Sequence, residues 1–217
     1  MSKVPAPERD FIPAKHHGGA QKPTLLVIHA AVTSYKKGAA LGVANYFKQG
    51  SVVSSAHFVS DEAEDYQCVA EELVAYHCGY NSNSVSFEMC IIPLKDSVMN
   101  WFKPKSEWTG GTVEYHGEQV KRFRWLQMGP RKVLKRTARL VAQSGLAHDI
   151  PLKFLTDAEL RVWDLDKSNP ALGGIVTHAQ MTRVFKKSTH WDPGAWPDKL
   201  FLRYVNRYKR RLLKKYS

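Results

Sequence analysis

The chain has 217 residues, 43% of them hydrophobic and 24% charged, which is enough to bury one core and fits one compact domain or a domain with a small appendage. It contains no apolar run of membrane-spanning length, no apolar core or cleavage-like site in the N-terminal MSKVPAPERDF, and three cysteines (Cys68, Cys78, Cys90) without a CxxC pair. A membrane span, a cleavable export signal, a disulfide framework and a cysteine-rich zinc module are therefore not expected. The formal net charge of +12 is local: Lys121–Arg139 and Lys199–Ser217 each hold eight Lys or Arg and no acid, and without them 16 basic residues face 20 acidic ones. Such a distribution suits a polyanionic partner, whether anionic wall polymer, membrane surface or nucleic acid.

In chain order, an arm rich in Pro, Gly and His runs to Pro23 and reads as irregular. The apolar run Thr24–Ile28 predicts a buried strand that delivers His29 at its C-terminal edge. A short helix is predicted over Ala39–Lys48, then a strand over Val52–Ser60, a turn at Asp61–Asp65 and a hairpin partner at Tyr66–Val69. Val85–Ile92 predicts another apolar strand with one acid, Glu88, in its middle. Phe87 and Met89 flank Glu88, so strand alternation turns its side chain to the face opposite theirs. An insertion spans about 93–125, with a hairpin over Thr112–Phe123 turning at His116-Gly117. An amphipathic helix follows over Gln127–Gln143 with a stop at Ser144-Gly145, and Gly173–Thr177 predicts a short strand ending at His178. At the C-terminus Leu200, Phe201, Tyr204, Val205, Tyr208 and Leu212 form one apolar stripe on a basic helix over about 198–215. Because that stripe takes up the aromatic residues, it leaves no base-stacking platform, and no specific nucleic acid is expected. Strands alternating with helices, plus hairpins, indicate an α/β or α+β sheet protein.

The chemistry lies in IHAAVTS at His29, GGIVTHAQ at His178 and STHWDPG at Asp192. Two imidazoles and a carboxylate are a donor set for Zn²⁺ that leaves a fourth position open. Each motif alone reads more readily as a buried histidine or a turn-forming Asp than as a ligand; their order carries more. IHAAVTS, SSAHFVSD, AYHCGYNSNSVSFEM, GIVTHAQMT and HWDPGAWPD together resemble the zinc-dependent N-acetylmuramoyl-L-alanine amidases of type 2, a family that includes phage endolysins and peptidoglycan recognition proteins. THAQMTRVFKKSTHWDPG is closest in texture to the endolysin domains. The resemblance covers about Thr24 to Trp196, with the insertion poorly matched.

That resemblance implies an α/β fold with a central mixed β-sheet flanked by helices, and a catalytic domain over 24–217. It implies Zn²⁺ on His29, His178 and Asp192, and Glu88 as general base. His190 stands where relatives often carry Lys or Thr as oxyanion donor, with Lys186 and Lys187 as alternative cations. His57, His77, Asn81 and Lys187 fall at substrate-binding positions, although His57 reads equally as a packing histidine and His77 and Asn81 as loop formers. The expected activity is hydrolysis of the bond between N-acetylmuramic acid and L-alanine of peptidoglycan by a monomeric phage lysin. Such a lysin is made in the host cytoplasm and acts at the wall, where its basic helices contact anionic polymer or membrane. A non-catalytic peptidoglycan-binding module is the alternative.

Overall fold

The computed structural model describes residues 4–91, 94–95, 108–115, 118–123, 128–190, 192–193 and 197–217. Strand β3 (Leu25–Ala30) is buried at all six positions, as expected of a strand covered on both faces. It sits between β7 (Ser84–Met89) and β11 (Gly174–Thr177), parallel to both, with His29 opposite Glu88 and Ile28 opposite Thr177. The sheet continues from β7 through β4 (Phe58–Ser60) and β5 (Asp65–Gln67) to β1 (Asp10–Phe11). Only the β4–β5 pair in this sheet is antiparallel, so the sheet is mixed.

Side-chain alternation divides the core between the two faces of the sheet. Leu26, Ile28, Val85 and Phe87 pack beneath α2 (Met128–Ala147) and α5 (Asp198–Tyr216). Leu25, Val27 and Val176 pack beneath α3 (Asp157–Leu165) and α4 (His178–Phe185) through Leu160, Trp163 and Met181. On the same side α1 (Ala39–Gln49) covers Val59 and Cys90 with Ala40, Ala44 and Phe47. The stripe predicted for the C-terminal helix is the buried one: Phe201, Tyr204 and Val205 are in the core, with Leu200, Tyr208 and Leu212 packed against it.

Several expectations need correction. The arm before residue 24 carries β1 and a further strand, β2 (His17–Ala20), paired with β6 (Leu73–Ala75). Residues 52–57 are not strand, and Val52 and Val53 are exposed, so their apolar character reflects surface placement. Helix α2 does not stop at Ser144-Gly145: Ser144 donates its hydroxyl to buried Glu71, and a side chain at Gly145 would run into Leu152, so small residues here serve packing. His178 begins α4 and does not simply close a strand. In the insertion, β9 (Trp108–Tyr115) and β10 (Glu118–Phe123) pair antiparallel with Tyr115 opposite Glu118, next to β8 (Leu94–Lys95). The turn expected at His116-Gly117, the end of the strand read to Ile92 and the helix start read at Gln127 lie outside the described residues.

Phe87 is fully buried and stacks on Phe58 with centroids 5.6 Å apart. Phe87→Ala should destabilise the fold by about 3–5 kcal/mol in denaturant titration. Leu165→Ala, at an 87% exposed position, should stay within about 0.5 kcal/mol of wild type.

Candidate metal centre

Three parallel strand ends supply one side of a cleft, the usual location for a ligand site in an α/β sheet. Because β3 and β7 run in register, His29 and Glu88 lie side by side on one face. Thr177, the last residue of β11, caps α4 by accepting a hydrogen bond from the Gln180 N–H at 3.1 Å, which holds His178 in the first helical turn. The chain then leaves α4 through Lys186, in the left-handed region at φ 54°, and returns so that the Asp192 carbonyl accepts from the Ala179 N–H at 2.8 Å. This bond satisfies a first-turn donor that has no partner within the helix and brings Asp192 beside the two imidazoles.

Candidate ligand atoms of His29, His178 and Asp192 lie within 4.8 Å of one another, and all three residues are buried. Asp192 Oδ1 is 2.9 Å from His178 Nδ1, and its Oδ2 is 3.2 Å from His29 Nδ1. The Ala30 N–H donates to that Oδ2 at 3.1 Å. Burial alone would raise the Asp192 pKa, but the adjacent His178 and His29 outweigh it and hold the carboxyl below the usual range. Burial, reinforced by the charge of His178, lowers the His29 pKa to about 4, so its imidazole is neutral at pH 7. The His29 and His178 ring nitrogens and an ionised carboxylate form a donor set for a cation of borderline softness, and zinc fits this set.

Glu88 stands next to this cluster, its Oε1 3.8 Å from His29 Nδ1, while its buried Oε2 has no hydrogen-bond partner. Burial, and then the charge of Asp192, push its carboxyl well above the ordinary carboxylate range. An unpartnered buried carboxylate oxygen is costly unless something enters to meet it. His190 lies at the rim, 69% exposed, with its ring stacked 4.8 Å from that of His178 and its Nδ1 3.9 Å from Asp192 Oδ1.

All of these groups open onto one cleft of about 1330 Å³. Gly42, Val43, Tyr46 and Val53 form an apolar wall, and Lys186, Lys187 and Ser188 form the opposite rim. His77 and Asn81 also line it, but both ring nitrogens of His77 are engaged, with His29 Nε2 at 2.9 Å and Ser84 Oγ at 2.8 Å. Asn81 Oδ1 accepts from the N–H groups of His77 and Cys78 and so shapes the loop, the competing reading of that residue. Gly79 (φ 71°) lets this loop meet the opposite rim, since a Cβ there would lie 2.8 Å from the Lys187 carbonyl. His57 does not reach the cleft: it is fully buried, bonded to Ser86 and the Leu73 carbonyl, and its position is that of a packing histidine.

Sequence reasoning did not single out Ser84 or Ser188, which bond His77 and His178 at 2.8 and 3.1 Å, nor the α1 wall. Isolated serines carry no pattern, and the apolar residues of α1 read as core.

The fold is that of type 2 amidase domains. Staphylococcus aureus hydrolase AmiA, solved with its ligand, superposes with a TM-score of 0.63 at 11% identity over 98% of this chain and 88% of its own. The catalytic domain of XlyA gives 0.50 at 18% identity over 90% and 96%, and the catalytic domain of PlyG, solved in solution, gives 0.51 at 16% over 94% and 96%. Curated proteins give no match. Residues 19–195 match the N-acetylmuramoyl-L-alanine amidase family, and the chain belongs to that family. It is a peptidoglycan amidase, and the non-catalytic alternative is set aside.

Cys78 lines the cleft but is not a nucleophile. Burial raises its thiol far above the ordinary range, and its Sγ–H donates to the Tyr80 carbonyl at 3.1 Å. Native protein at pH 7 should therefore resist thiol alkylation, and Cys78→Ala should hydrolyse peptidoglycan, as followed by turbidity loss.

Proposed function

We propose that this amidase is a zinc enzyme, with His29, His178 and Asp192 as protein ligands, that cuts the bond between the lactyl group of N-acetylmuramic acid and L-alanine. One observation carries the reading: three buried donors converge within 4.8 Å beside a carboxylate oxygen that lacks a partner. Zinc held there supplies a Lewis acid for the scissile carbonyl and brings the pKa of a water down to about 7. Glu88 accepts the proton of the attacking water and returns it to the amide nitrogen as the C–N bond breaks. The water oxygen ends in the lactyl carboxylate, and L-alanine leaves with a free amino group. His190 donates an N–H to the oxyanion that develops on the carbonyl, with Lys186 and Lys187 as further cations on that rim. Lys187 and Asn81 border the stem peptide in the cleft, and His57 supports the site from beneath.

The biological reading is a phage lysin that acts at the wall as a monomer, supported by the THAQMTRVFKKSTHWDPG stretch. No helix among the described residues is long and apolar enough to cross a membrane. Its basic helices lie on the sheet face away from the cleft, where Lys199, Arg203, Arg207, Arg210 and Lys214 are all exposed. Anionic wall polymer suits this row better than membrane, because the apolar stripe an interfacial helix would insert is already in the core.

Glu88→Gln should lower turnover by about 10²- to 10⁴-fold while zinc content stays at one per chain. Removing the metal should abolish release of new L-alanine amino termini from purified peptidoglycan, and adding zinc back should restore it; metal-free turnover would refute the reading. Changing Arg203, Arg207 and Arg210 together to Glu should weaken sedimentation with teichoic-acid-bearing walls, most clearly at low salt, and leave hydrolysis of soluble muropeptide unchanged.

A further inference from the structure

A chain of hydrogen bonds leads from His29 through His77 to Ser84, and its direction can be worked out from its far end. Ser84, the first residue of β7, donates its hydroxyl to the Asn81 carbonyl at 2.7 Å, and this uses its single hydrogen. His77 Nε2 lies 2.8 Å from the same oxygen and must be the donor. In an imidazole with one hydrogen, His77 Nδ1 then offers only a lone pair. That lone pair is 2.9 Å from His29 Nε2, which must carry the hydrogen. The remaining lone pair of His29 is on Nδ1, the atom 3.2 Å from Asp192 Oδ2 that faces the donor set. Both ends of the chain therefore agree: the cation needs a bare His29 Nδ1, and the bonds traced back from Ser84 leave that Nδ1 bare.

The supporting loop is itself fixed. Asn81 holds it twice, taking the Ser84 hydroxyl on its carbonyl and the His77 and Cys78 N–H groups on its side chain at 2.9 and 2.8 Å. The rings of His29 and His77 meet edge to face at 90°, so the bond also sets the orientation of the His29 plane. We infer that His77 is a positioning residue which, anchored by Ser84 and Asn81, locks His29 in the Nε2–H tautomer and aims its Nδ1 at the metal. The outer nitrogen of a metal-binding histidine commonly meets a carboxylate, a carbonyl or water; here a second imidazole takes that place. The inference rests on the zinc reading above and gives His77 a role other than substrate contact.

The test uses the full chain labelled with ¹⁵N-histidine, metal-free and zinc-loaded. Long-range ¹⁵N–¹H NMR should report His29 as the Nε2–H tautomer in both forms. In chelator competition, His77→Leu should weaken zinc binding by about 10- to 100-fold. His77→Asn, whose Oδ1 can stand in for Nδ1 as acceptor, should restore most of it, and circular dichroism melts establish that each variant is folded. An Nδ1–H tautomer of His29 in the wild type, or a folded His77→Leu that binds zinc as tightly as wild type, overturns the inference, and the wild-type NMR decides it even if the Leu variant does not fold. Wild-type protein that binds no zinc at all overturns the metal reading instead.

Discussion

Two imidazole nitrogens and an ionised carboxylate brought together in a buried place repel through their lone pairs and lack solvent to relieve them. A positive charge among them reverses the sign of that interaction, and the rest of the molecule is arranged to make the convergence tolerable. The Asp192 carboxylate is held by the Ala30 N–H. The α4 N-terminus ties its backbone down through Ala179. Glu88 adds a second carboxyl to the same small volume, and burial together with the charge of Asp192 raises its pKa, so the cluster combines an anion that stays ionised with a group suited to taking up a proton.

The sheet makes this possible through register. Parallel pairing of β7, β3 and β11 sets Glu88 beside His29 and brings the chain to His178 one residue past Thr177. A slip of one residue in β3 would turn His29 into the apolar layer under α2 and α5 and bring Ile28 to the cleft. The fully buried strands that resist such a slip are thus also what positions the chemistry. The two faces of the sheet have separate duties: α1 and α4 border the cleft, while the basic helices α2 and α5 close the opposite side over Leu26, Ile28 and Phe87.

Much of this was legible in the sequence because the signals were long or doubly constrained. The apolar run before His29, the alternation around Glu88 and the stripe Phe201–Tyr204–Val205 each report burial directly, and each holds in the structure. The short elements were not legible: β1, β2 and β6 are two to four residues long and depend on pairing with distant segments. Helix α3 does carry a local sequence signature, the capping box formed by Thr156 and Glu159 at its start, but its apolar residues are too few to make a long periodic stripe. His57 and His77 show the limit for single residues. Both are histidines near strand ends, and only the three-dimensional network shows that one is sealed beneath the site while the other grips His29.

The most direct check is a crystal of zinc-loaded protein measured on both sides of the zinc absorption edge. A single anomalous peak bounded by His29 Nδ1, His178 Nδ1 and the Asp192 carboxylate is the predicted result. An active crystal form with no peak there, or with its zinc held by other residues, would contradict the site on which the proposed chemistry stands.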